Sequence, residues 1–194
     1  MDPFFIIDLS SPFNPKVAGQ LKIPGYSSYL HPLDEDHVIG LGMENSTVKL
    51  SLFDVTNVNA PTEVAKYLVE GDYSYSDAMY EPKAFLFDKE KELLVIPVSI
   101  TDYGVVDSTS KDVLVNGGFW QGAYVFRVNS DGFTFRGGIS HGYNTTNPYY
   151  YGYNYNEQVT RALYIDNTLY TISNTEVKLN SLSDLGQIAE VLLR

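Results

Sequence analysis

The stretch HPLDEDH sets two of the chain's three histidines, His31 and His37, around Asp34, Glu35 and Asp36. Imidazole and carboxylate together suit zinc or manganese. A metal needs ligands that converge, however, and alternate residues of a strand point to opposite faces. The stretch therefore reads as a polar hairpin turn, and no metal or other cofactor is expected. DKEKE is a solvated turn of alternating charge. NSDG resembles part of a calcium loop but lacks the later acid at EF-hand spacing, and fits a type I′ hairpin turn better. With no cysteine, disulfides, thiolate metal sites and cysteine nucleophiles are excluded. GYSSY fails the last position of a G-x-S-x-G elbow. His141 opens a long loop, and a triad built on it requires a hydroxyl and an acid brought in by folding. No pair among the 24 acidic residues stands out as the acid and base of a glycosidase. No catalytic residue is assigned.

Tyrosine is the residue type that suggests binding. The chain has 16 Tyr against one Trp, and a phenol combines contact area with a polar tip at low entropic cost. GYNTTNPYYYGYNYN carries Tyr143, Tyr149, Tyr150, Tyr151, Tyr153 and Tyr155, more than loop closure needs. EGDYSYSDAMYEP adds Tyr73, Tyr75 and Tyr80. Trp120 ends a third long segment and is either an anchor or core. These are the candidate ligand-binding residues. Asn45 and Asn144 begin N-glycosylation sequons, NST and NTT, which matter if the protein is secreted.

Composition narrows the partners. A formal net charge of -11 argues against nucleic acid, whose phosphates demand a basic surface, and against anionic membranes. No apolar run is long enough to span a bilayer, so membrane insertion is not expected. The start, MDPFFIIDLS, has no basic n-region, which fits a cytosolic protein or a mature or excised piece.

The elements that must carry these residues are strands. Apolar runs of four to seven residues end in Gly, Pro, Asn, Asp or Ser, and helical periodicity is nearly absent. Fourteen such runs can be counted, the last two also showing some helical spacing. DLSSPFNP and DVTNVNAP repeat one turn pattern: an aspartate that bonds its own backbone, followed by a proline that need not donate. Aligning Asp8, Asp54, Arg127 and Ser181 gives intervals of roughly 45–75 residues, each holding four strands, the period of a propeller blade. The expected fold is all-β, a β-propeller of four-stranded antiparallel blades with about three and a half blades in one domain or fragment over residues 1–194. It comprises a half-blade at 2–23 and blades at about 24–70, 71–140 and 141–194. With strands lettered a to d from inside to outside, the insertions at 70–82, 101–120 and 141–158 are b–c and d–a connections and share one face. Pro97, inside LLVIPV, is expected at a strand end or a bulge.

GYSSYLHPLDEDHVIGLG, VKLSLFDVTN, EPKAFLFDKEKELLVIPV and GAYVFRV resemble the secreted bacterial and archaeal proteins with a C-terminal β-propeller domain distantly related to WD repeats. The resemblance covers most of the chain except the tyrosine loop. It implies an extracellular or cell-surface propeller with earlier blades upstream, and brings no catalytic residues. The function expected is a non-enzymatic interaction module that binds protein or polysaccharide on its tyrosine-rich face. Its ring would be completed by upstream blades or another chain. The alternatives are a structural subunit of a surface layer or filament, and a hydrolase or lyase with its site in the propeller channel. An acidic pair facing a cleft would favour the last.

Overall fold

A computed structural model of the chain describes residues 3–103, 105–106, 114–115, 118–142 and 155–193. Its strands form successive antiparallel sheets. The first has two strands, β1 (Phe4–Asp8) and β2 (Lys16–Leu21). The second runs in chain order through β3 (Tyr26–Pro32), β4 (His37–Glu44), β5 (Thr47–Asp54) and β6 (Thr62–Leu68). The third, central sheet holds β7 (Tyr73–Tyr75), β8 (Leu86–Asp88), β9 (Leu93–Asp102), β12 (Gly118–Asn129) and β13 (Gly132–Ile139). Between β9 and β12, β10 (Val105–Val106) and β11 (Leu114–Val115) make a short separate ladder. The last sheet is β14 (Arg161–Ile165), β15 (Thr168–Ile172), β16 (Glu176–Ser181) and β17 (Gln187–Leu192). The fourteen runs read from sequence all lie on strands of these sheets, including the last two. A half-sheet followed by three antiparallel sheets, two of four strands and a central one of five in which β7 and β8 share the innermost place, is the partial propeller expected.

The repeated turn has one physical basis. Asp8 accepts the Ser10 N–H at 2.8 Å and Asp54 the Thr56 N–H at 2.9 Å. In the last sheet Ser181 Oγ accepts the Ser183 N–H at 3.2 Å. In the central sheet the equivalent acceptor is Asn129, which takes the Asp131 N–H at 2.9 Å, not Arg127, which pairs with Glu92. Each side chain closes a turn from the third to the fourth strand and saves a backbone donor from going unpaired. NSDG is not a type I′ turn, since neither Ser130 nor Asp131 has a positive φ; Gly132 does, at 126°. The type I′ geometry, which requires two positive φ values in a row, belongs to Asn45 and Ser46, at 51° and 69°.

Pro97 lies neither at a strand end nor at a bulge. It sits inside β9, opposite Ala123 of β12. The other edge of β9 pairs with β8 through Leu93–Val95 and with β7 through Ser99–Thr101. The innermost strand of this sheet is thus split in two, and Pro97 falls in the gap, where no ladder needs its missing N–H. The split also corrects the reading of residues 70–82 as pure loop, because Tyr73–Tyr75 joins the sheet.

The central sheet is buried on both faces. Leu94, Ile96, Val98, Phe126 and Val128 pack against Ile39, Leu41, Val48, Leu50 and Leu52 of the second sheet. Leu93, Val95, Ala123 and Val125 pack against Leu169 and Leu182 of the last. Alternation along β9 and β12 sends successive side chains into the two cores. The half-sheet closes the second sheet's other face, where Phe4 stacks on Phe53 with ring centroids 4.4 Å apart. On that face Lys49 is nearly inaccessible. Its ammonium lies 2.9 Å from both Glu44 and Glu63 and donates to the Pro24 carbonyl at 2.9 Å, so the buried charge is paired.

Candidate functional site

The segment between β7 and β8 is fixed by its backbone before any side chain is presented. Ser74 is fully buried; its Oγ accepts the Val48 N–H at 2.6 Å, and its own N–H donates to the Ser46 carbonyl at 3.1 Å. These bonds tie β7 to the β4–β5 hairpin. Ser76 caps a short 3-10 turn, Asp77–Met79, by accepting the Ala78 N–H, and Glu81 caps a second, Pro82–Ala84, by accepting the Lys83 N–H. Ala78, Met79, Ala84 and Phe85 enter the core. With Ser74 pointing inward, alternation puts Tyr73 and Tyr75 on its other side, Tyr73 exposed and Tyr75 half-buried with its ring against the core.

Three of the tyrosines expected to bind therefore converge. Tyr75 and Tyr80 lie near-parallel with centroids 6.5 Å apart. Tyr26, at the start of β3, shares a hydrogen bond with Tyr80 and feels the phenol of Tyr73. Partial burial, followed by these neighbouring phenols, raises the Tyr26 hydroxyl above the usual phenol range. Burial raises Tyr75 as well, followed by the charge of Asp77. Asp77 is itself raised by burial, against the opposing hydrogen bond from Tyr75. The cluster is open to solvent: Tyr26 is 43%, Tyr73 42% and Tyr80 65% exposed. Asn45 is exposed in the hairpin turn that anchors β7.

Tyr26 was not among the residues singled out from sequence. Nothing in GYSSYL marks it, because it reaches Tyr80 only through the packing of β3 beside the 3-10 turn. Trp120 is half-buried and packs on Tyr124 at 4.9 Å. It fits only because Gly122 and Gly138 lack a Cβ, which would come within 2.8 and 2.7 Å of its ring. Tyr155 is 74% exposed at the start of a 3-10 turn. Tyr143, Tyr149, Tyr150, Tyr151, Tyr153 and the sequon at Asn144 lie outside the described residues. The described roots of the three insertions meet at one end of the central sheet. Tyr73 pairs with Thr101 and Gly118 with Asp102, and the Gln121 side chain bonds both backbone groups of Val159, at 3.1 and 3.2 Å.

The histidines are each engaged. The His31 ring packs 5.1 Å from both Phe85 and Phe87, with Tyr29 Oη 3.2 Å from its Nδ1, and burial lowers its pKa. His37 Nδ1 lies 2.9 Å from Asp34. Among the described residues no group of three or more His, Asp or Glu is placed to hold a metal ion. Folding does bring a hydroxyl and an acid to His141: Thr171 Oγ1 is 2.8 Å from Nε2, and Glu176 Oε1 is 3.5 Å from Nδ1. Thr171 is fully buried, so this hydroxyl is not presented to a substrate. Burial, then the charge of Lys178, lowers the His141 pKa to about 4. The ring is neutral at neutral pH, and its approach to Glu176 is then no ion pair. Lys178 donates to the Ser140 carbonyl at 2.9 Å, and Ser140 Oγ to the Gln121 carbonyl at 2.7 Å. The group pins the root of the third insertion onto β15 and β16.

Comparison with known proteins agrees with this architecture. The family model described as "Beta propeller domain" matches residues 1–185. An uncharacterized protein of Archaeoglobus fulgidus is 45% identical over 102 residues, 53% of this chain and 16% of its own. An uncharacterized protein of Methanocaldococcus jannaschii is 34% identical over 177 residues, 91% of this chain and 22% of its own. The chain thus spans about a fifth of the length of these relatives. Among solved structures, the AfRom2 CNH domain is similar over 95% of this chain and 59% of its own, at 11% identity and a TM-score of 0.29, a likeness too loose to bear on function. The chain belongs to the β-propeller domain family.

Proposed function

We propose that this propeller is a non-enzymatic binding module of the cell surface or exterior that holds a protein or polysaccharide on the tyrosine platform. One observation carries the reading: exposed Tyr26, Tyr73 and Tyr80 gather around half-buried Tyr75, which packs on the core, over a backbone locked by Ser74, Ala78 and Met79. A rigid platform of phenols offers flat apolar faces and hydroxyls while little side-chain entropy remains to be lost on binding. An exterior location is supported by the resemblance of GYSSYLHPLDEDHVIGLG and its companion stretches to secreted propeller proteins, and there the exposed sequon at Asn45 would be open to glycosylation. The alternative of a hydrolase or lyase gains the acidic pair it calls for, since Glu70 and Asp102 border one cleft, but loses a His-based triad, because the hydroxyl beside His141 is buried.

The test is a screen of polysaccharides and surface proteins with the wild-type chain and a Tyr73→Ser/Tyr80→Ser double variant. Both side chains are exposed, so melting should stay unchanged. The variant is expected to lose at least about tenfold in affinity for whatever the wild type retains. Equal binding by the variant would refute the platform as the site. A second reading, assembly through strand pairing, is favoured by β1, which pairs with β2 alone among the described residues and exposes Phe5 and Ile7. Such an edge accepts another strand.

A further inference from the structure

A separate cleft of about 340 Å³ opens between the second and central sheets, beside the outer strands β12 and β13. Its walls include the side chains of Trp120, Tyr124 and Phe135, together with Glu70 and Asp102. The rings run in a row: Trp120 to Tyr124 is 4.9 Å at 53°, and Tyr124 to Phe135 is 4.6 Å at 50°. Gly138, also on the wall, and Gly122 leave the space into which the indole lies. The two acids arrive from different sheets, Glu70 just beyond β6 and Asp102 at the end of β9. Only the packing of one sheet on the next sets them around one opening. No Lys, Arg or His is among the described residues that border it.

We propose that this cleft binds a small organic cation carrying an alkylated ammonium group. Aromatic faces carry the negative lobe of the ring quadrupole and attract a cation whose methyl or methylene skirt is apolar enough to touch them. Carboxylates at the rim add the charge. Other ligand classes match the lining less well. A bare metal ion wants several oxygen ligands at short range and gains nothing from three rings. An anion is repelled by both acids and by a chain of net charge -11. Glu70 also lies close enough to the ring row to act on it: burial first, then Tyr67 and Glu70, pushes the Tyr124 hydroxyl up to about 12. The site uses neither the platform tyrosines nor His141, and stands or falls independently of the polymer-binding reading.

The chain contains a single tryptophan, so its emission reports on this cleft. The experiment titrates the protein with choline and, separately, with 3,3-dimethylbutan-1-ol, its uncharged isostere. It follows Trp120 fluorescence and saturation transfer to the ligand methyl protons. Choline is expected to bind saturably and the isostere at least about tenfold more weakly. The Glu70→Gln variant, altered at one exposed position, should melt like the wild type. It should lose about tenfold or more for choline and nothing for the isostere. No saturable response to choline, equal affinity for the uncharged isostere, or undiminished choline binding by the variant would each overturn the proposal.

Discussion

The central sheet and the last sheet are built from the same four-strand unit, yet their strands meet solvent differently. In β9, Leu93 to Val98 is buried without interruption, whereas in β15, the equivalent second strand of the last sheet, only Leu169 and Thr171 are buried and the residues beside them stay half-exposed. The difference is the number of neighbouring sheets. The central sheet has one against each face, and the last sheet buries its side chains against the central sheet only, among the described residues. At the opposite end the half-sheet repeats the contrast within one strand. Phe4 turns inward onto Phe53, while Phe5 and Ile7 face out. Stability in such a stack is a sum over interfaces between neighbours, so the middle should be costly to disturb and the ends cheap.

The sharpest test of that contrast is a pair of phenylalanines. Phe126, fully buried between Tyr67, Tyr124 and Phe135, should cost about 3–5 kcal/mol on truncation to Ala, through lost burial and the cavity left behind. Phe13, 102% exposed in the β1–β2 turn, should change stability by no more than about 0.5 kcal/mol. Urea unfolding of both variants decides it. Similar costs would mean that the sheets do not stack as described.

A smaller effect is expected from pH at the interface between the central and last sheets. Buried His141 is held at about 4 in the folded chain, against about 6.5 for an exposed imidazole. The unfolded chain therefore binds the proton first. The neutral ring's contribution to stability is complete above about pH 6.5 and is lost as pH falls towards 4, by about 3 kcal/mol at most. His141→Asn should flatten this slope in a stability profile measured between those limits, even if its own stability is lower. A variant that keeps the full slope would assign it to other groups.

The smallest effect on the isolated chain is expected at the open edge. Ile7→Lys, on the outward face of β1, should shift unfolding by no more than about 0.5 kcal/mol. It should reduce any concentration-dependent association seen by light scattering, because a lysine on an edge strand opposes pairing. Ile6 is the poorer choice for this test, since it is half-buried on the same side as Phe4. Association that survives Ile7→Lys unchanged would remove this edge from the assembly reading.

Much of this architecture is written locally. The period-two runs and their turn residues specify the strands, because a side chain that closes its own turn, as Asp8, Asp54 and Ser181 do, needs nothing from elsewhere in the chain. ELLVIPVSI, apolar without alternation, already marks a strand covered on both faces. QIAEVLL shows the limit of that inference: it is as apolar, yet exposed, because it forms the edge of its sheet, and burial depends on where a strand lies among the sheets and not on the strand itself. The place of Pro97 is not local for a related reason. The break between β7 and β8 that accommodates it depends on how 76–85 folds into the core. The candidate sites divide the same way. Tyr73, Tyr75 and Tyr80 stand out by composition and nearness in sequence, whereas Tyr26 joins them, and Glu70 and Asp102 come to border one cleft, only when sheets pack face to face. Sequence determines what each strand offers on its two faces and how each turn closes. Tertiary structure decides which faces meet, because contacts between sheets join residues that no local spacing relates.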